Sequence, residues 1–242
     1  MSPLDGFDAV LFDLDGVITS TAEQHFSAWR QVFDEFLARR ATPAEPFQPF
    51  DRADYNRYVD GMPRYDGVRN FLAARGIELE EGRPDDPPAA ETVHGLGNRK
   101  NDLVNDIIRE QGVEPYAGSV ALLRSLRSRD VKTAVVTSSR NCMTVLHAAG
   151  IVDLFDARVD GEIAADLGLR GKPAPDTFLA AAERLAVPPA RTAVIEDALS
   201  GVEAGRAGGF ALVVGVDRVG QAEALREHGA DVVVSDLAEL ID

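Results

Sequence analysis

Residues 9–16 read Ala-Val-Leu-Phe-Asp-Leu-Asp-Gly, an apolar run that ends in two carboxylates spaced two residues apart. Alternate side chains of a β-strand point to the same side, so Asp13 and Asp15 at the end of a strand can face one spot. Two carboxylates that close favour a proton on one of them unless a divalent cation lies between them. The stretch predicts a buried strand that leads into a metal-dependent site, and a plain turn at Asp15-Gly16 is the alternative interpretation.

Three later segments also bring polar groups to the end of an apolar run or of a loop. They are Thr137 to Asn141 after the run 133–136, Gly171 to Asp176 after a loop, and Glu196-Asp197 after the run 192–195. The groups that follow different strands of a parallel sheet gather at one edge, where open α/β folds bind ligands. We therefore expect these segments to meet Asp13 in space.

Apolar runs and helical segments alternate along the second half of the chain. Strands are predicted at residues 7–13, 131–137, 157–159, 192–196, 210–216 and 231–234, and helices at 119–129, 140–149, 175–185, 200–207 and 220–227. Near-continuous Val, Ile and Ala strands in such an alternation indicate a parallel sheet that is buried on both faces. The predicted fold class is α/β, with a Rossmann-like parallel sheet and helices on both faces.

The residues between the first two predicted strands form a mostly helical insertion. Its predicted features, in order, are a helix at 22–39 from apolar spacing, a proline-interrupted stretch at 43–49, an exposed loop at 80–90 and a helix at 101–111. Two domains are expected: a catalytic core made of residues 1–18 and 112–242, and a helical cap made of residues 19–111.

Composition limits the class of protein. The chain has 242 residues of which 45% are hydrophobic, enough for one core and a small accessory domain. Acidic residues number 40 against 25 basic ones, a net charge of −15, so nucleic-acid binding is not expected. No apolar stretch is long enough to span a membrane, and the single cysteine, Cys142, excludes an internal disulfide. We expect a cytoplasmic monomer.

The order of these motifs resembles the haloacid dehalogenase (HAD) superfamily of phosphoryl-transfer enzymes, which have an aspartate nucleophile, a Ser/Thr, a Lys and an acidic pair. Residues 13–29 are similar to the opening segment of the β-phosphoglucomutase family within it, with Thr21, His25 and Trp29 as the telling positions. The segment 99–102, Arg-Lys-Asn-Asp, is similar to that family's second cap signature.

Chemistry and the resemblance together assign roles to the core residues. Asp13 is expected to attack phosphorus and carry the phosphoryl group, and Asp15 to act as general acid and base. Lys172 would pair with Asp13 and the phosphate, and the Thr137 hydroxyl would donate to a phosphate oxygen. Mg²⁺ is the expected cofactor, and its expected ligands are Asp13, the Asp15 backbone, Glu196 and Asp197. Taken singly, Thr137, Lys172 and the acidic pair could equally be helix caps or surface residues.

The resemblance implies further substrate-binding residues, mostly in the cap. Arg64 is the candidate for a distal phosphate, helped by Ser139 and Asn141, since the guanidinium fork fits that task; Arg140 could add positive charge. His25 and Lys100 are expected to form a cap-side link that aligns Asp15 when sugar is bound, with Thr21 at the hinge. The chain departs from the family at Asp60, where a lysine is usual.

The resemblance implies interconversion of β-D-glucose 1-phosphate and D-glucose 6-phosphate, with glucose 1,6-bisphosphate as primer and a small phosphorylated sugar as partner. The alternative function is a phosphatase that acts on a small sugar phosphate. A phosphate-accepting receiver domain would be about half this length and lack the insertion. A true haloacid dehalogenase would need neither Mg²⁺ nor an acid at Asp15, and a non-catalytic sensor would not need the full set of motifs.

Overall fold

A computed structural model of the chain describes residues 2–43 and 46–241. Its centre is a six-stranded parallel sheet with the strand order β3-β2-β1-β4-β5-β6. The strands are β1 Ala9–Phe12, β2 Lys132–Val136, β3 Ala157–Val159, β4 Thr192–Glu196, β5 Leu212–Val216 and β6 Val232–Val234. The predicted α/β class with a parallel sheet is confirmed.

Strand β1 lies in the middle of the sheet because every one of its residues is apolar. All four are completely buried, so both faces of the strand are covered. Its last residue, Phe12, lies opposite Val135 of β2 on one side and Ile195 of β4 on the other. The three central strands therefore end within one residue of the same level, which brings the residues that follow them to one edge of the sheet.

Six helices accompany the sheet strands in sequence. They are α5 Ala117–Ser128, α6 Cys142–Ala149, α7 Gly161–Asp166, α8 Asp176–Leu185, α9 Leu199–Ala207 and α10 Ala222–Glu227, counted after the four helices of the insertion. Helix α8 packs its Phe178 and Ala181 with Leu11 of β1 and Val136 of β2 in one hydrophobic cluster. Helices α9 and α10 bury Val202 and Leu225 against Val213 of β5.

The insertion is helical and has its own core. Its helices are α1 Ala22–Arg40, α2 Arg52–Tyr58, α3 Arg64–Ala74 and α4 Val93–Gln111. Phe33 of α1 is fully buried and lies 4.3 Å from Phe71 and 5.0 Å from both Trp29 and Phe50, measured between ring centroids. Aromatic clusters of this kind bury a large apolar area for few side chains.

The chain divides into two compact units, unit 1 being Met1–Ser20 with Val113–Asp242 and unit 2 being Thr21–Gly112. The predicted domain limits differ by one or two residues, for reasons visible in the backbone. Ser20 donates its N–H to the Glu114 carbonyl at 3.0 Å within unit 1. Gly112 ends helix α4 with φ +75° and donates its N–H to Ile108 at 2.9 Å.

Helix α4 is longer than its sequence indicates. We predict a helix from residue 101, but it begins at Val93, because the Thr92 hydroxyl accepts the Gly95 N–H at 3.0 Å and caps the first turn. Gly95 and Gly97 weaken the helical signal there. The short helix α7 was not predicted either. Among the residues described, the helices are all too short or too polar to cross a bilayer.

We expect Phe33→Ala to destabilise unit 2 by about 3–5 kcal/mol, because it removes a fully buried ring that three other aromatic rings contact. Urea unfolding followed by the fluorescence of Trp29, the single tryptophan of the chain, reports on this unit. Phe47→Ala serves as the control, because Phe47 is 43% exposed. Equal unfolding midpoints for the two variants would contradict the assignment of Phe33 to the core.

Candidate active site

The Asp13 carboxylate lies directly beyond β1, where the chain turns sharply. Asp13 still donates its N–H to the Ile195 carbonyl at 3.0 Å, so it keeps the register of the sheet. The turn closes when Gly16 donates its N–H to the Thr19 carbonyl at 2.8 Å. Gly16 has φ +89°, a conformation that favours glycine. Asp13 is buried and Asp15 is half-buried beside it.

The Lys172 ammonium joins Asp13 to Glu196. Its Nζ lies 2.5 Å from Asp13 Oδ1 and 2.5 Å from Glu196 Oε1, and it also donates to the Val136 carbonyl at 3.1 Å. Burial alone would lower the pKa of Lys172, but the two carboxylates outweigh burial and raise it. Lys172 is therefore a charged ammonium that binds two strand-end carboxylates inside the protein.

Glu196 ends β4 and is completely buried. Its Oε2 accepts the N–H groups of Asp197 at 3.0 Å and Ala198 at 3.1 Å, while its Oε1 accepts from Lys172. Burial raises the pKa of Glu196, and the nearby Asp13 charge acts in the same direction. The carboxyl groups of Asp13, Glu196 and Asp197 thus stand at this edge against the one ammonium of Lys172.

Three buried carboxylates fit a divalent cation. Ligand oxygens of Asp13, Glu196 and Asp197 all lie within 4.8 Å of one another. Buried acids this close need a cation or a proton between them, and oxygen ligands are those that Mg²⁺ prefers. The charge that Lys172 leaves uncompensated therefore matches a bound Mg²⁺.

The loop after β2 brings hydroxyl and amide groups to the same edge of the sheet. Thr137 is buried and donates its backbone N–H to Val159 at 3.0 Å. Its hydroxyl accepts the Ser139 N–H at 3.1 Å, and the Ser139 hydroxyl accepts the Asn141 N–H at 3.1 Å. Asn141 immediately precedes helix α6, whereas Arg140 is exposed. A loop tied this way before a helix N-terminus is suited to binding an anion.

Two glycines leave room for the acidic side chains. A Cβ at Gly16 would overlap the Asp197 carboxylate, and a Cβ at Gly201 in α9 would overlap the Glu196 carboxylate. Both overlaps involve short side chains that are held in buried positions. The backbone of the turn and the first turn of α9 therefore fix how closely the acids approach one another.

Unit 2 contains its own group of predicted site residues. His25 Nδ1 and Lys100 Nζ lie 3.0 Å apart, and the Lys100 ammonium also lies 5.1 Å from the centre of the Trp29 ring. Burial, with the Lys100 and Arg64 charges, lowers the pKa of His25 well below its usual value. The neutral imidazole can then accept a hydrogen bond from the Lys100 ammonium.

Arg64 and Thr21 occupy helix starts in this unit. Arg64, the first residue of α3, donates from Nη2 to Asn101 Oδ1 at 2.6 Å. Asn101 adjoins Lys100 on α4, so the pairs Arg64–Asn101 and Lys100–His25 share one helix. Thr21 is buried at the N-cap of α1, where its carbonyl accepts the His25 N–H at 3.0 Å.

Three residues that contact predicted site residues or their loops were not themselves predicted from the sequence. Asn101 lies within the cap signature, yet no role was assigned to it. Arg218 donates to the Gly16 carbonyl and Gln221 to the Asp197 carbonyl. Both residues follow strand β5, and this position after a strand could have marked them as candidates for the functional edge of the sheet. Their acceptors are backbone oxygens, which no sequence pattern marks.

Comparisons with known proteins indicate the same superfamily as the sequence motifs. The family described as haloacid dehalogenase-like hydrolase matches residues 7–209. A β-phosphoglucomutase of Mycobacterium bovis is 54% identical over 238 residues, which cover 96% of this chain and 91% of that protein. One of Bacillus subtilis is 35% identical over 232 residues, covering 96% and 91%. The crystal structure of a β-phosphoglucomutase from Clostridium difficile aligns with a TM-score of 0.77 at 27% identity, covering 97% of this chain and 93% of that one.

We expect Gly201→Ala to reduce the turnover of a small aryl phosphate by at least about tenfold at saturating Mg²⁺, because the new methyl group displaces the Glu196 carboxylate. Gly205→Ala on the same helix is the matched control. Its Cβ would lie 3.1 Å from a methyl group of Val213 and would not reach the acids. The control can lose thermal stability but should retain turnover, and equal turnover in both variants would contradict the expected displacement.

Proposed function

The chain belongs to the haloacid dehalogenase-like hydrolase family, and on that basis we propose that it is a Mg²⁺-dependent β-phosphoglucomutase that interconverts β-D-glucose 1-phosphate and D-glucose 6-phosphate. The observation that carries the proposal is the buried Asp13 carboxylate, which lies 2.5 Å from the Lys172 ammonium at the end of the central strand. The identity of 54% to the Mycobacterium bovis β-phosphoglucomutase supports the choice of substrate.

In this proposal, unit 1 is the catalytic core and unit 2 is its cap. The core contains the nucleophile, the acidic cluster and the Thr137 to Asn141 loop. In the cap, the cations Lys100 and Arg64 lie next to each other, because Arg64 donates to Asn101, which adjoins Lys100. A bisphosphate needs a binding site for each of its phosphates, and the core and the cap each contain groups that suit a phosphate.

The reaction begins when one Asp13 oxygen attacks the phosphorus atom. The new bond between oxygen and phosphorus forms while the bond from phosphorus to the sugar oxygen breaks, and Asp15 gives its proton to that leaving oxygen. In the second half, the accepting sugar hydroxyl attacks the phosphorus atom carried by Asp13 and gives its proton to Asp15. The bond from phosphorus to the Asp13 oxygen breaks, and Asp13 leaves as a carboxylate. Asp15 thereby alternates between acid and base, and the enzyme returns to its starting state.

Charge stabilisation comes from several groups of the core. Mg²⁺ bound by Asp13, Glu196, Asp197 and the Asp15 carbonyl would neutralise charge on the transferring phosphoryl group. Lys172 donates to the phosphoryl oxygens from its position beside Asp13. The Thr137 hydroxyl and the following backbone N–H groups bind the remaining oxygen. Phosphoryl transfer needs little else from a protein than this positioning.

A mutase must transfer the phosphoryl group to a sugar and not to water. Glucose 1,6-bisphosphate is the proposed primer, bound by either phosphate in turn. Arg64 is the proposed ligand of the distal phosphate in the cap. Ser139, Arg140 and Asn141 are the proposed phosphate-binding residues of the core. The Arg64 fork already has its geometry fixed by Asn101, which lowers the entropy lost on binding.

His25 and Lys100 are the proposed link between sugar binding and catalysis. The neutral imidazole of His25 accepts from the Lys100 ammonium at 3.0 Å, which holds Lys100 in one orientation. A sugar hydroxyl that hydrogen-bonds Lys100 competes for that donor. The His25 N–H donates to the Thr21 carbonyl, so His25 lies one helical turn from the first residue of unit 2.

The second candidate is a phosphatase for a small sugar phosphate. The matching family is described as a hydrolase, and its chemistry through Asp13 would be identical up to the second half-reaction. The acid Asp60 precedes Gly61 in the turn before Arg64, where a cation would be expected for phosphate binding. Only the acceptor, water or a sugar hydroxyl, separates the two candidates.

Phosphorus NMR of the protein with Mg²⁺, β-glucose 1-phosphate and catalytic glucose 1,6-bisphosphate tests the proposal. We expect glucose 6-phosphate to form well ahead of inorganic phosphate, because the sugar and not water accepts the phosphoryl group. Asp13→Asn is the control and should abolish both products while the protein stays folded. Inorganic phosphate as the main product would replace the mutase by the phosphatase.

We expect Arg64→Ala to reduce mutase turnover by at least about tenfold while hydrolysis of a small aryl phosphate changes little, because the aryl phosphate has no distal phosphate. Arg57→Ala on the neighbouring helix removes an exposed arginine and should leave both rates unchanged. Equal losses in the two assays for Arg64→Ala would remove it from the distal site.

A further inference from the structure

The segment Asp217 to Gln221, between β5 and α10, has no part in the proposed chemistry, yet its side chains contact both acidic loops. It is a rigid connection, because Asp217 Oδ1 accepts three consecutive backbone N–H groups. They are those of Val219 at 3.2 Å, Gly220 at 2.7 Å and Gln221 at 2.8 Å. The Asp217 N–H in turn donates to Val234 of β6 at 2.8 Å. The backbone positions from which the Arg218 and Gln221 side chains extend are therefore fixed.

Arg218 reaches the turn that follows the nucleophile. Its Nε donates to the Gly16 carbonyl at 3.0 Å, and its Nη1 donates to the Ser235 carbonyl at 2.8 Å. The guanidinium carbon lies 3.8 Å from the centre of the Tyr116 ring, and the side chain is 15% exposed. Arg218 is thus held from two further sides while it binds the residue after Asp15. A planar fork with several contacts fixes a position better than a lysine would.

Gln221 reaches the other acidic loop. Its Nε2 donates to the Asp197 carbonyl at 2.9 Å. Asp197 is buried and belongs to the cluster of carboxylates at the sheet edge. The same short segment therefore holds one backbone carbonyl of the nucleophile turn and one of the acidic loop.

The two loops also pack against each other between these contacts. The Gly16 backbone approaches the Asp197 carboxylate so closely that no side chain fits at Gly16. A small movement of either loop would consequently change the distances among the carboxylate oxygens, which span at most 4.8 Å.

We propose that Arg218 and Gln221 are positioning residues that fix the spacing between the Asp13–Asp15 turn and Asp197, and thereby set the affinity for the divalent cation. The inference deepens the proposed function and rests on it for the presence of that cation. Mg²⁺ demands near-octahedral geometry at short oxygen distances, so it is sensitive to small shifts of its ligands. Outer residues that orient metal ligands commonly change affinity by about 10–100-fold.

Binding of Mn²⁺, measured by the loss of the free-ion EPR signal without any sugar phosphate present, tests this role. Gln221→Met removes the donor at similar side-chain length, and Arg218→Met removes the fork. We expect each variant to bind Mn²⁺ about tenfold more weakly than the unchanged protein. High Mg²⁺ should restore the turnover of an aryl phosphate in both variants, which a general loss of packing would not allow.

Arg206→Met is the matched control for charge. Arg206 on α9 forms an ion pair with Asp231 at 3.2 Å, and Asp231 belongs to neither acidic loop. Both arginine variants remove one positive charge, which by itself would strengthen the binding of a cation. Weaker binding in Arg218→Met alone therefore indicates lost positioning.

Unchanged Mn²⁺ affinity in Gln221→Met, with its fold verified by circular dichroism, would overturn the role of Gln221. Unchanged affinity in Arg218→Met would do the same for Arg218. Should Arg218→Met fail to fold, Arg218→Lys keeps the charge and loses the fork, and it decides in its place. The Mn²⁺ measurement contains no sugar phosphate, so its result does not depend on whether the protein is a mutase. An unchanged protein that binds Mn²⁺ without mutase turnover would refute only the proposed substrate.

Discussion

The buried ammonium of Lys172 is the interaction on which the rest of the site depends. Removing a charge from water is expensive, and Lys172 is stable there only because the Asp13 and Glu196 carboxylates each approach it to 2.5 Å. The carboxylates also depend on Lys172, because without the ammonium they would repel each other. Each group therefore requires the others, and this mutual requirement connects the loop that carries Lys172 to two central strands.

Strand register converts this local requirement into a site. Phe12, Val135 and Ile195 lie side by side. One residue further on, at the level of Asp13, β2 ends at Val136 and β4 ends at Glu196. The glycines at 16 and 201 then permit the acids to come closer than neighbouring side chains would otherwise allow. The placement of the backbone therefore sets how closely the acidic groups approach one another.

The sequence predicted those features for which a residue type has one usual structural role. Apolar runs such as Ala9–Phe12 identify buried strands, and the acids that follow them identify the functional edge. It failed where a backbone oxygen is the partner, as for Arg218 and Gln221, because any residue can supply a carbonyl. It also placed the start of α4 too late, since Gly95 and Gly97 have low helix propensity and the Thr92 cap that offsets it was not recognised. The contact between His25 and Lys100 was expected from family resemblance and not from spacing.

The position of β1 has a consequence for how the chain acquires this structure during synthesis. Of the six strands of this sheet, the central one, β1, is made first, and both of its neighbours, β2 and β4, lie far downstream. Until Lys132 is made, an entirely apolar strand has no partner and is open to wrong contacts. Residues 21–112 are contiguous, form a compact unit with its own core and are all made before that point. Once folded, they bring Ser20 and Val113 nearer than a random coil would, which lowers the entropic cost of pairing β1 with β2.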